Sequence, residues 1–175
     1  MTPLLFIYMA GLWTADGART SLVSGKVVQI HAETEARVES AADGTSYLVS
    51  HNRLTETLAT NDAHTYERVF WLRAKDSGAY DLGYGDPTDA SSTNPQTLAA
   101  AGLGAFTADT NSTPHFDVSQ PLSPDGSLRV DSVSRFTDES TVEYDERLLQ
   151  NGHPVSETHL TYKKVWLPQD APQQP

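Results

Sequence analysis

The stretch TVEYDERLLQNGHPVSETHLTYKKVWL, residues 141–167, decides the fold. Two alternating runs, 141–149 and 154–167, flank Asn151-Gly152. Asn-Gly between alternating runs marks a two-residue β-hairpin, because a type I′ turn needs positive φ at both central residues. Pairing Gln150 with His153 sets the register. Leu148 then opposes Val155, Tyr144 opposes His159, Val142 opposes Thr161 and Ser140 opposes Lys163, and this set shares the interior face. The opposite, solvated face pairs Arg147 with Ser156, Glu143 with Leu160 and Glu139 with Lys164. Two features strain that register. Glu146 would oppose Glu157 on the inner face, where like charges repel, and Leu160 and Tyr162 would point to water. A β-bulge in the second strand would turn over every residue beyond it.

Outward from the hairpin, the same pattern recurs. Over residues 26–38, Val28, Ile30, Ala32, Thr34, Ala36 and Val38 line one face, and Gln29, His31, Glu33, Glu35 and Arg37 line the other. This is a half-buried strand. A turn at Ala42-Asp43-Gly44 leads into a strand over 46–58 of ambiguous facing, and Asn61-Asp62-Ala63 leads into another over 64–74. There Tyr66, Arg68, Phe70 and Leu72 share a face, while Glu67, Trp71 and Arg73 point away. Asp76-Ser77-Gly78 precedes a strand over 79–84. The pattern fails over 85–114, which contains Asp86-Pro87, Ser91-Ser92-Thr93-Asn94-Pro95 and a small-residue run over 98–106. A long loop with one short helical turn over a barrel end is expected there, and such loops often serve as lids or binding loops. Strands over 115–122 and 128–136 flank the turn Ser123-Pro124-Asp125-Gly126.

Eight to ten hairpin-linked strands predict an all-β fold, an antiparallel up-and-down barrel that removes its exposed edges by closing. Residues 1–167 form one barrel domain in this reading, and the Pro- and Gln-rich tail 168–175 is disordered.

Composition narrows the function. With 12 basic against 23 acidic residues the chain carries −11, which argues against nucleic acid and anionic membrane surfaces. Cysteine is absent, so disulfides, thiol catalysis and Cys-ligated zinc are excluded. The apolar run 3–10 has no charged flank or small-residue cleavage pattern and is too short to span a bilayer. It reads as a buried first segment of a soluble protein, with the cytoplasm favoured over a secreted or periplasmic location and the oligomeric state open.

At Gly11-Leu12-Trp13 the chain resembles a calycin, the superfamily of lipocalins, fatty-acid-binding proteins and nitrobindin-like haem proteins. In those barrels a Gly-x-Trp opens the first strand, and a basic residue of the last strand covers the Trp ring at the closed end. The resemblance implies that Lys163 or Lys164 caps Trp13, and the hairpin register selects Lys163. A cation over an indole is a sound plug on physical grounds. Within the superfamily, Gly152-His153-Pro154 and His159-Leu160-Thr161-Tyr162 resemble the nitrobindin ending, which implies His159 as proximal haem ligand. The segment 135–163, beginning Arg135-Phe136-Thr137-Asp138, also resembles lipocalin-like barrel families of unknown function.

The residues themselves offer few chemical handles. His159, inward beside Tyr144, either ligates haem iron or is a lumen histidine bonded to Tyr144 or water. Arg68, on the Tyr66–Phe70 face, either anchors a ligand carboxylate or pairs internally with Glu146. His31, Glu33 and Glu35 share a polar face, as do His115 and Asp117, and a solvated surface explains both better than a metal site. Trp13 and Trp71 read as structural. A Glu146–Glu157 pair would suit acid–base work or simply sit at a wet rim. No serine nucleophile motif, phosphate loop or HExxH is present. The expectation is a barrel that binds an apolar or amphipathic small molecule, haem or a lipid-like carboxylate, through Tyr66, Arg68, Phe70, Tyr144 and His159. The alternatives are a barrel enzyme of the cyclase or isomerase type, using lumen His, Glu or Tyr as acid–base, and a packed barrel serving as an interaction domain.

Overall fold

Ten antiparallel strands close on themselves in the computed structural model, which describes residues 2–75, 78–85 and 100–165. A short helix, α1 (Leu4–Met9), precedes β1 (Gly11–Ser21), β2 (Val27–Ser40), β3 (Ser46–Thr57), β4 (Ala63–Ala74) and β5 (Ala79–Gly85). There follow β6 (Gly102–Thr107), β7 (His115–Pro121), β8 (Leu128–Asp138), β9 (Thr141–Gln150) and β10 (His153–Lys164). Each strand pairs with its neighbours in sequence, and β1 pairs with β10 to close the barrel. This is the up-and-down architecture expected from the alternation. The tail 168–175, the dipeptide Asp76-Ser77 and residues 86–99 of the expected loop lie outside the described residues.

The decisive hairpin forms as its turn dictates, with φ of 51° at Asn151 and 80° at Gly152. Gln150 pairs with His153, but a bulge between Pro154 and Ser156 leaves Val155 without a partner on β9. Beyond it the register moves by one residue. His159 pairs with Asp145 rather than Tyr144, Leu160 with Tyr144, Tyr162 with Val142 and Lys163 with Thr141. The facing expected for β9 stands; that expected for β10 is reversed. Burial decides between them. Leu160, 3% exposed, and Tyr162 now lie inside, and fully burying one such side chain is worth about 1.5–3 kcal/mol. The bulged carbonyl is not wasted, since Val155 accepts a 2.9 Å bond from the Leu22 N–H.

A second correction concerns the small-residue stretch. Residues 102–107 are not loop or helical turn but strand β6, paired on both sides. Its inward positions include Gly102 and Gly104, so no apolar period is visible in the sequence. At Gly104 a Cβ would stand 2.3 Å from the Phe116 ring. Phe116 of the next strand fills the space over Gly104, and β6 itself adds Phe106, which packs against the rings of Tyr8 and Phe136.

The lower end is plugged. Leu5 and Phe6 of α1 are fully buried against Trp13, Leu48, Leu72, Tyr80, Leu82, Phe116, Phe136 and Val142. The Trp13 indole donates to the Met9 carbonyl at 2.9 Å, holding the helix end, and the Lys164 ammonium lies 5.1 Å from the ring centroid. Lys164, not Lys163, is therefore the covering cation. Lys163 faces the other way and donates to Thr141 Oγ1. The same bulge explains the exchange. Trp71 points outward as expected, yet it is fully buried, lying against Gly83 where a Cβ would meet the indole at 2.5 Å.

Candidate ligand-binding lumen

Above the plug the barrel holds a half-open cavity of about 260 Å³. Its apolar wall is built from Ile30, Ala32 and Ala36 of β2, Leu54 of β3 and Leu160 of β10, each set there by period-two alternation. Phe70 and Tyr84 complete the opposite side with rings 5.3 Å apart at a 47° tilt. Small residues on one wall and rings on the other leave room that Leu or Phe at positions 32 and 36 would fill.

Among the described residues, four charged side chains line this space: Arg19, Glu56, Arg68 and Glu146. Arg19 and Glu56 form an ion pair at 2.9 Å across the intervening β2, and the Tyr66 hydroxyl donates to the same carboxylate at 2.7 Å. Burial pushes the Glu56 carboxyl up, but the hydrogen bonds from Tyr66 and Arg19 outweigh it and hold it below the usual range. Arg68 stacks over the Tyr66 ring at 5.0 Å. Among the described residues no carboxylate lies within 4 Å of it, so the alternative of an Arg68–Glu146 salt bridge does not hold. Glu146 instead accepts from the Tyr144 hydroxyl at 2.7 Å and from Thr158 at 3.3 Å.

The lumen phenols are hard to ionise. Burial, then the Glu146 charge, pushes both Tyr84 and Tyr162 up to about 12, and pushes Tyr144 well above its ordinary value. Tyr84 keeps 43% of its surface, and because the residue lines the cavity that surface includes lumen wall. These phenols remain hydrogen-bond donors at any physiological pH.

Of the residues expected at the site, Tyr66, Arg68, Phe70 and Tyr144 are brought together in the lumen. His159 is not. It stands outside the barrel, with a 60% exposed side chain, bonded to Asp145 at 2.8 Å and 3.4 Å from Glu143. Among the described residues no histidine lines the cavity. The Glu146–Glu157 pair is also undone, since Glu157 pairs outside with Arg147 at 3.0 Å. His31 bonds Asp16 on the outer wall, His115 approaches Asp117, and the described residues hold no cluster of three His, Asp or Glu able to bind a metal.

Sequence reasoning missed Arg19, Glu56, Tyr84, Thr158 and Tyr162. On β3 the inward set includes Ser50, Asn52, Leu54 and Glu56, so polarity carried no facing signal there. The available clue was register: Asn52 pairs with Arg68 and Leu54 with Tyr66, which assigns β3 its inward parity once that of β4 is known.

A closed ten-stranded up-and-down barrel, plugged by a Trp–Lys stack and hollow above it, is the barrel architecture expected from the hairpins and from the Gly11–Trp13 opening. No protein-family model matches the chain, and no curated protein matches it by sequence. Solved structures do. An S-type phycobiliprotein lyase, CPES of Guillardia theta, superposes with a TM-score of 0.63 at 10% identity, over 93% of this chain and 92% of that one. Rv2717c of M. tuberculosis superposes with a TM-score of 0.61 at 13% identity, over 91% of this chain and 94% of its own. At such identities the likeness is one of fold. Among the described residues no helix is long and apolar enough to cross a membrane.

Proposed function

We propose that the barrel holds a compact amphipathic small molecule whose acidic group is bound by Arg68. One observation carries this reading: a guanidinium lines the lumen, positioned on Tyr66, with no carboxylate of the described residues in ion-pair contact and Glu56, whose carboxyl feels its charge, already bonded to Arg19 and Tyr66. Arginine presents a planar fork of donors that fits a carboxylate in two bonds, so the acid docks without rearrangement of the wall. The apolar remainder lies against Ile30, Ala32, Leu54, Phe70 and Leu160. A cavity of about 260 Å³ sits at the low end of small-molecule sites, which favours a short chain or a single ring system over a macrocycle. Haem loses the feature that made it specific, because His159 lies on the wrong side of the wall. That one of the structural neighbours is named a phycobiliprotein lyase is compatible with small-molecule handling on this fold and assigns no ligand here.

The test is displacement of the fluorescent dye 1-anilinonaphthalene-8-sulfonate by decanoic acid. Wild-type protein is expected to bind the acid saturably, with decanol at least tenfold weaker. Arg68→Met keeps the stem and removes the charge, and it is expected to weaken the acid about tenfold or more while leaving decanol unchanged. Equal affinity of wild type and R68M for decanoate would overturn the assignment.

A further inference from the structure

The lumen has a second polar pole. We propose that its ligand is bipolar, carrying a hydroxyl or amino donor that binds Glu146 as well as the acid that binds Arg68. This rests on the binding function proposed above and extends it to the opposite wall.

Two of the four lumen charges cancel within the protein, since Arg19 and Glu56 are paired at 2.9 Å. Arg68, whose charge Glu56 also feels, and Glu146 form no ion pair with each other among the described residues. Arg68 sits on β4 and Glu146 on β9, and the strand order β9-β8-β7-β6-β5-β4 puts these five steps apart in a ring of ten. They therefore occupy opposite walls. Glu146 is served only by neutral donors, the Tyr144 hydroxyl on one oxygen and the Thr158 hydroxyl on the other. Among the described residues no cation reaches it within 4 Å. A carboxylate has about four acceptor sites, so each oxygen retains capacity for a further donor, and both existing bonds hold the group in place.

Tyr84 of β5 reports on the space between the poles. Its ring lines the lumen beside Phe70, and its phenol feels both the Glu146 charge and the Arg68 charge. The aromatic and aliphatic floor formed by Phe116, Phe136 and Val142 bars a deeper position. A molecule that spans the lumen from β4 to β9 therefore meets charge at both of its ends. A plain fatty acid would leave its methyl end against a carboxylate, which costs desolvation without return.

The experiment compares hexanoic, octanoic and decanoic acids with their ω-hydroxy counterparts in the same dye-displacement assay. At the length that spans the lumen, the hydroxy acid is expected to bind wild-type protein about tenfold tighter than the plain acid, the lower bound for a hydrogen bond to a charged group. Glu146→Leu should erase that preference and Glu146→Gln, whose amide oxygen still accepts but carries no charge, should reduce it, while plain acids still bind through Arg68. The comparison on wild type alone needs no variant to fold. If plain acids bind as well as hydroxy acids at every length, or if the preference survives E146L, the second pole is refuted and the Arg68 site stands. If no acid of either class displaces the dye, the carboxylate reading itself falls, and this proposal with it.

Discussion

Gly11→Ala isolates the closure of the barrel. Gly11 has φ of +132°, a conformation that residues with a Cβ rarely adopt. A Cβ there would stand 2.7 Å from Lys164 Cε and 3.5 Å from its ammonium. A lysine end is flexible, so the collision resolves by moving the ammonium off the Trp13 indole rather than by moving backbone. The strained φ costs about 1–3 kcal/mol, and the lost cation–π contact costs about 0.5–2 kcal/mol. Stiffening of the unfolded chain returns about 0.4–1 kcal/mol. The net destabilisation is about 2.5 kcal/mol, which for a chain of this length lowers Tm by about 5–10 °C. Thermal and urea unfolding followed by far-UV circular dichroism measure it. Lys164→Met should be non-additive with Gly11→Ala, because both remove the same contact, whereas Lys163→Met should add independently. A G11A variant within about 0.5 kcal/mol of wild type, or full additivity with K164M, would refute the reasoning.

The remaining predictions concern the reversed strand and the lumen phenols. Leu160→Ala should cost about 2–5 kcal/mol as a buried large-to-small change, and His159→Ala less than about 1 kcal/mol as the loss of an exposed pair; urea midpoints in the opposite order would restore the unbulged register. Titration with ferric haem should show no Soret change that depends on His159, and one abolished by H159A would place that imidazole in the lumen after all. Tyr84 and Tyr162, held near 12 in the fold against about 10 unfolded, stabilise the protein fully below pH 10 and lose that contribution as pH rises toward 12. Tyrosinate absorbance should therefore show a late phase near pH 12 whose amplitude falls with Tyr84→Phe and again with Tyr162→Phe; seven tyrosines all titrating near pH 10 would contradict their burial.

Legibility varied along the chain for definite reasons. Asn151-Gly152 and the flanking alternation specify a hairpin because turn dihedrals and side-chain parity are local properties. They also assign the β9 face correctly, with Val142, Tyr144 and Glu146 inside. Strand β4 was legible in the same way, which is why Tyr66, Arg68 and Phe70 were found. β6 was not, since with Gly102 and Gly104 inward a single ring, Phe106, marks its core face and the space over Gly104 is filled by Phe116.

Local patterning was enough for an all-β chain of hairpins, the turn at residues 151 and 152, the Gly11–Trp13 opening and the inward faces of β2, β4 and β9. Tertiary structure alone decided where β10 bulges, and with it whether His159 or Leu160 faces inward and whether Lys163 or Lys164 covers Trp13. A bulge costs little locally and can sit at several positions; what selects one is the apolar surface that closure buries on the far side of the barrel. The pairing of Arg19 with Glu56, and the isolation of Arg68 from Glu146, likewise follow from which strands a closed ring of ten sets beside or opposite each other.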